Sequence, residues 1–203
     1  MSQLTILQYP HPILKQVSTH VVGFDETLKS TLQTMLAMMY QDKAVGLAAN
    51  QVGLTQRFFV MDVSEKANQP LCLVNPEIIA REGETLSEEG CCSLPGIFVK
   101  VKRAEKITVN FQDANGQPQT LTTDGLMALC IQHEIDHLDG ILAIDHLSKL
   151  KRALTIKKMG KNKRESPFTR DDAQGKQLQE KFTIKDEDNP CTKLEKYGQG
   201  PLD

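Results

Sequence analysis

Residues 130–140 read C-I-Q-H-E-I-D-H-L-D-G, and this stretch decides how the rest is read. On a helix, residues four apart stand one above the other, so His133 and His137 can present two imidazoles to one ion. The helical pitch rotates Glu134 about 100° from His133. From there it can reach a water beside the ion without being forced to ligate it. This is the pattern of metal-assisted hydrolysis: a cation raises the acidity of a water, and a carboxylate takes and later returns the proton. A catalytic site of this kind needs three protein ligands and one open position. The stretch supplies two.

The pair falls on a helix expected over residues 124–139. Asp124 suits the N-cap, and Gly140 stands where a C′ glycine belongs. Leu126, Leu129, Cys130, His133 and His137 share one face of it. Downstream, the position where some metalloproteases place a third histidine is Ala143, and residues 149–164 contain no acidic residue. Asp139 and Asp145 lie just past the helix end and would need an unusual bend. Upstream, E-E-G-C-C-S-L-P-G, residues 88–96, offers Cys91 and Cys92. Gly90 allows a close backbone approach, and Pro95-Gly96 closes the segment in a turn. Adjacent residues on an extended strand point to opposite faces, so this pair would supply one ligand. Free cysteines are more often small core hydrophobes, and that reading stands beside the ligand one.

Farther out, residues 25–42, D-E-T-L-K-S-T-L-Q-T-M-L-A-M-M-Y-Q-D, read as a helix capped by Asp25. Leu28, Leu32, Met35, Leu36 and Met39 lie on one face. The loop V-G-L-A-A-N-Q-V-G, residues 45–53, follows. R-F-F-V-M-D-V (57–63), L-C-L-V-N-P (71–76) and K-I-T-V-N-F (106–111) read as strands. Asn115-Gly116 is a tight-turn signal leading into Q-T-L-T-T, which predicts a hairpin. The fold class is therefore α+β: mostly antiparallel strands packed around the central H-E-x-x-H helix, with an N-terminal helix and a C-terminal helical extension.

The 203 residues suit one domain plus an extension, and the net charge of −2 argues neither for nor against a nucleic-acid partner. The charge is unevenly spread. Residues 1–148 carry 10 basic and 17 acidic residues, 149–164 carry eight basic and none acidic, and 165–203 carry six and nine. This divides the chain into a catalytic domain at 1–148, a basic helix at 149–164 and an appended polar tail at 165–203, poor in large apolar residues. The start lacks a basic, apolar leader, and no stretch approaches the ~18 apolar residues of a membrane span. Five cysteines, an odd number without a secretory signal, fit a reducing cytosol and argue against a disulfide framework. A cytoplasmic protein without membrane contact is expected.

Three segments together resemble peptide deformylase of the bacterial type. V-G-L-A-A-N-Q is similar to that family's G-x-G-L-A-A-x-Q, E-G-C-C-S to its E-G-C-L-S, and Q-H-E-I-D-H-L-D-G to its Q-H-E-x-D-H-L-x-G. Their order and separations also fit, over roughly residues 4–150. The resemblance implies a cation held by Cys91, His133 and His137, usually Fe²⁺, with Zn²⁺ or Ni²⁺ able to substitute. It implies Glu134 as general acid/base and removal of the N-formyl group from the initiator methionine of nascent chains, releasing formate. The oxyanion donors it implies are the Gln51 amide and the Cys92 backbone N–H, beside Gly46. Leu126, Leu129 and Cys130 would line a pocket for the methionine. Backbone groups at Val45, Gly46 and Gly90 would pair with an extended peptide. Two positions depart from the pattern: Ala44 replaces its first loop glycine, and Cys92 replaces a leucine. Basic residues 149–164 would contact ribosomal RNA. A metallopeptidase would need a downstream ligand, and a non-enzymatic relative would be expected to lack Glu134, Gln51 or a ligand. Neither fits this sequence.

Overall fold

Helix α1, Glu26–Gln41, forms where the apolar spacing places it. Asp25 caps it, its Oδ1 accepting the Leu28 N–H at 3.0 Å, and its buried residues are the five expected ones. The computed structural model describes residues 4–162; Lys163, Arg164 and the tail at 165–203 lie outside the described residues. Seven strands follow in chain order: β1 Gly46–Ala48, β2 Phe58–Met61, β3 Leu71–Glu82, β4 Thr85–Gly90, β5 Phe98–Arg103, β6 Lys106–Gln112 and β7 Pro118–Asp124. Five make an antiparallel sheet in the order β1-β2-β3-β6-β7, while β4 and β5 pair with each other.

The pleat sorts side chains between two cores. Phe58, Val60, Cys72 and Val74 join the α1 residues. Phe59, Met61, Leu71 and Leu73 face the opposite side with Ala128, Cys130, Ile131, Ile135 and Leu138 of helix α2, Gly125–Leu138. β2 is buried at every position because both of its faces are covered. A third cluster, including Leu14, Leu94, Val99, Val101 and Ile144, ties the β4–β5 hairpin to the segment after α2.

The hairpin predicted at Asn115-Gly116 forms between β6 and β7. Gly116 has φ 81°, and Asp113 Oδ1 accepts the Asn115 and Gln117 N–H groups at 2.8 and 2.9 Å. β3 runs past the predicted 71–76 to Glu82, because pairing with β6 continues through a register shift. β4 and β5 were not expected. T-L-S-E-E-G has one large aliphatic, so its strand character comes from pairing with β5. Cys72 is disulfide-bonded, although the odd cysteine count argues against a disulfide framework.

Gly140 ends α2 as expected, with φ 71° and its N–H on the His137 carbonyl at 3.0 Å. An added Cβ would meet the Lys15 carbonyl oxygen at 2.6 Å. Gly140→Ala therefore combines a left-handed backbone with a backbone clash. It is expected to cost about 2 kcal/mol or more and lower Tm by roughly 5 °C or more. An unchanged Tm by calorimetry would refute this reading. Helix α3, Lys149–Asn162, then packs Ile156 and Met159 against the third cluster. No helix among the described residues is long and apolar enough to cross a membrane.

Candidate metal centre

α2 brings His133 and His137 to one face, and the turn after β4 brings Cys91 to meet them. Their ligand atoms all lie within 4.8 Å of one another. Cys91 Sγ is 3.2 Å from His137 Nε2, and the two imidazoles meet edge to face with centroids 4.9 Å apart. Cys91 and Cys92 do not continue the strand, contrary to the extended geometry expected for them. β4 stops at Gly90, and the Leu94 N–H bonds the Cys91 carbonyl at 2.9 Å to close a turn. The result is still one thiol in the cluster, Cys91; Cys92 is half-buried beside it. Burial, with the charges of Cys91 and Glu134, pushes the Cys92 thiol up to about 12, so it stays protonated. Asp139 and Asp145 are engaged elsewhere, with Arg57 at 2.7 Å and with Lys15 and Arg152.

Behind the ligands stands a buried charged layer that sequence reasoning missed. His133 Nδ1 lies 2.8 Å from Glu89 Oε2, which leaves Nε2 for the cluster. Arg103 grips Glu89 through two bonds at 2.8 and 2.9 Å and reaches Asp136 Oδ2 at 2.6 Å. The same oxygen lies 2.7 Å from His146 Nε2. Burial alone would raise Glu89, but Arg103 and His133 outweigh it and hold the carboxyl at about 2. His137 is held well below its ordinary value by burial and by His133 and Arg103, so it stays neutral, the form that ligates. Asn50 donates its amide to the His137 carbonyl. Gln132 fixes α2 to Ala104 through bonds of 2.9 and 3.0 Å. One signal for Arg103 existed: F-V-K-V-K-R alternates, placing Arg103 on the buried face with Val99 and Val101.

Glu134 is buried, and its Oε2 has no hydrogen-bond partner. Burial pushes its carboxyl up to about 7, so both protonation states are accessible near neutrality. It lies against Gly46, where an added Cβ would be 2.3 Å from Glu134 Oε1 and 2.9 Å from Cys130 Sγ. Gln51 is buried and oriented. Its Oε1 accepts the Ala48 N–H at 2.8 Å, which turns its Nε2 toward Cys91 Sγ at 3.5 Å and Ser93 Oγ at 3.3 Å. Cys130 donates to the Val45 carbonyl at 3.6 Å. Of the expected pocket residues, Cys130 is buried, Leu129 half-buried and Leu126 exposed. Gly90 lies directly before Cys91, with the Phe98 ring against it. Positive φ in the loop falls on Lys43, not on Ala44.

A thiol and two imidazoles, with a buried carboxylate on the next residue of the same helix, fit a divalent cation as a donor set. With an α+β frame of antiparallel strands, this defines the class as a metal-dependent hydrolase. The family description "Polypeptide deformylase" matches residues 3–153. The chain is 48% identical over 164 residues to peptide deformylase 2 of Xanthomonas campestris pv. campestris, covering 79% of this chain and 96% of that one. It is 48% identical over 168 residues to the peptide deformylase of Xylella fastidiosa strain M12, covering 81% and 98%. The crystal structure of a peptide deformylase from Legionella pneumophila superposes with a TM-score of 0.76 at 43% identity, covering 79% of this chain and 95% of that one. The chain belongs to the polypeptide deformylase family of metal-dependent amidohydrolases.

Proposed function

We propose that this chain removes the N-formyl group from the amino-terminal methionine of nascent polypeptides and releases formate. The observation that carries the reading is the convergence of Cys91, His133 and His137, with Glu134 beside His133 and pressed on Gly46. Those three side chains would hold one Fe²⁺, with Zn²⁺ or Ni²⁺ able to replace it. When bound, the ion supplies Lewis-acid activation of water and of the formyl carbonyl. Glu134 takes the proton from the attacking water and delivers it to the departing amine. The Gln51 amide and the Cys92 N–H donate to the oxygen on which charge develops. The Ala48 bond to Gln51 keeps that amide in place before substrate arrives. Val45, Gly46 and Gly90 pair with the peptide backbone, and Leu126, Leu129 and Cys130 receive the methionine side chain.

Anaerobically purified protein given Fe²⁺ is expected to release formate from formyl-Met-Ala-Ser, with one free amine per formate. Absence of formate from metal-loaded protein would overturn the assignment.

Residues 1–148 form the catalytic domain in this reading, and the basic segment at 149–164 docks on ribosomal RNA. In support, Ile156 and Met159 face the core while Lys149, Lys151, Lys157 and Lys158 are exposed. Replacing these four lysines by glutamate is expected to release the protein from co-sedimenting ribosomes. Unchanged sedimentation would sink the docking role. The protein would act in the cytoplasm.

A further inference from the structure

The charged layer behind His133 does not end inside the protein. Its outermost member is His146, whose Nε2 donates to Asp136 Oδ2 at 2.7 Å. The series runs His146, Asp136, Arg103, Glu89, His133, and every step lies between 2.6 and 2.9 Å. The side chain of His146 is 31% exposed, that of Asp136 18% and that of Arg103 5%, so the series leads from solvent to a candidate metal ligand. Glu89 and Asp136, two carboxylates, share one guanidinium. Arg103 gives Nε and Nη2 to Glu89 and Nη1 to Asp136. His146 supplies a second donor to the same Asp136 oxygen. A partly buried carboxylate that loses a donor turns toward water. There is room to do so: a cleft of about 380 Å³ borders Asp136 and Arg103, with Arg81 and Lys102 in its wall. His146 is itself held in place. It closes the short 3-10 turn Ala143–His146, in which Ile144 is fully buried and the Asp145 carboxylate accepts the Leu142 N–H at 2.8 Å.

We propose that His146 is a positioning residue for the metal centre: by holding Asp136 against Arg103, it fixes the Glu89 carboxylate that orients His133. That role rests on the metal-dependent reading of the centre. The planar guanidinium fork moves as one piece, so releasing its bond to Asp136 disturbs both of its bonds to Glu89. Glu89 Oε2 meets both Arg103 Nη2 and His133 Nδ1, so a shift of the guanidinium is felt at the imidazole. A merely structural His146 would contribute to stability and leave the ligand set unchanged.

Co²⁺ is the probe. Its affinity for the full chain is measured by competition with a chelator, and its visible absorption reports the geometry of the ligand set. His146→Ala is expected to weaken Co²⁺ binding about 3- to 10-fold, less than the loss of a group that touches a ligand directly, and to shift the cobalt bands. With the metal site saturated, its kcat for formyl-Met-Ala-Ser should fall while KM holds, since no peptide-contacting residue is altered. His146→Gln, whose Nε2 can reach the same carboxylate oxygen, should restore both affinity and spectrum. Arg57→Ala removes a different ion pair at the end of the same helix, 2.7 Å to Asp139. It should lower Tm and leave Co²⁺ affinity unchanged. Unaltered affinity and spectrum in His146→Ala would overturn the proposal. So would a His146→Gln or an Arg57→Ala that loses affinity as far as His146→Ala does. An unmodified chain that binds no Co²⁺ would sink the proposal together with the metal reading, whereas bound Co²⁺ indifferent to His146→Ala sinks the proposal alone.

Discussion

Glu134→Gln is expected to lower kcat for formyl-Met-Ala-Ser by about 10²- to 10⁴-fold, the range that a positioned general acid/base contributes. Glutamine has nearly the same shape but cannot accept the proton of an attacking water. Metal content should stay at that of the unmodified chain, because Cys91, His133 and His137 are untouched. Tm should stay level or rise, since a buried carboxyl with an unpartnered oxygen is replaced by a neutral amide. Gly46→Ala supplies a second arm. Its methyl would stand 2.3 Å from Glu134 Oε1, so the carboxylate must swing away while the ligands remain. Its kcat should fall between those of the unmodified chain and Glu134→Gln. A fully metallated Glu134→Gln retaining more than a tenth of the activity would remove Glu134 from its role. Loss of metal from the same variant would recast it as a structural partner of the ligands.

The parts of this site that could be read from sequence are those encoded within one element. His133, Glu134 and His137 sit on one helix, so a spacing of four and the pitch were enough to place them. The core face of α1 was legible for the same reason. What pairs across elements was not. The grip of Arg103 on Glu89 depends on the β4–β5 register, which sets Glu89 opposite Val99 and leaves Arg103 on the same inward face. No local periodicity in T-L-S-E-E-G announces that strand. Gly46 looked like a loop glycine, yet its lack of a side chain is what admits the Glu134 carboxylate from a helix remote in sequence. Cys91 and Cys92 depart from the expected strand because the chain turns before Pro95-Gly96, with the first turn bond accepted by the Cys91 carbonyl. One ligand per pair survives that departure for a different reason. A turn, not an alternating strand, separates the two thiols.

Removing a ligand should act on stability as well as on chemistry, and that separates a metal site from three side chains that merely pack. A ligand that binds only the folded chain stabilises it by RT ln(1 + [L]/Kd), about 2.7 kcal/mol at a hundredfold excess over Kd. For a domain of this size that is a Tm rise of roughly 5–10 °C on adding Fe²⁺ or Zn²⁺ to chelator-treated protein. Cys91→Ala should abolish the rise, reduce bound metal after dialysis from about one per chain to less than a tenth, and leave formate release at background. Its Tm in chelator should match that of the unmodified chain in chelator, which shows that the fold survives. Glu89→Gln makes the effect graded. It keeps Cys91 and both imidazoles but weakens the hold on His133 Nδ1, now 2.8 Å from Glu89 Oε2. Partners of that kind are typically worth 10- to 100-fold in metal affinity. The expected order of metal retention is therefore unmodified chain, then Glu89→Gln, then Cys91→Ala. A Cys91→Ala protein that keeps both its metal and its metal-dependent rise in Tm would place the cation elsewhere in the molecule.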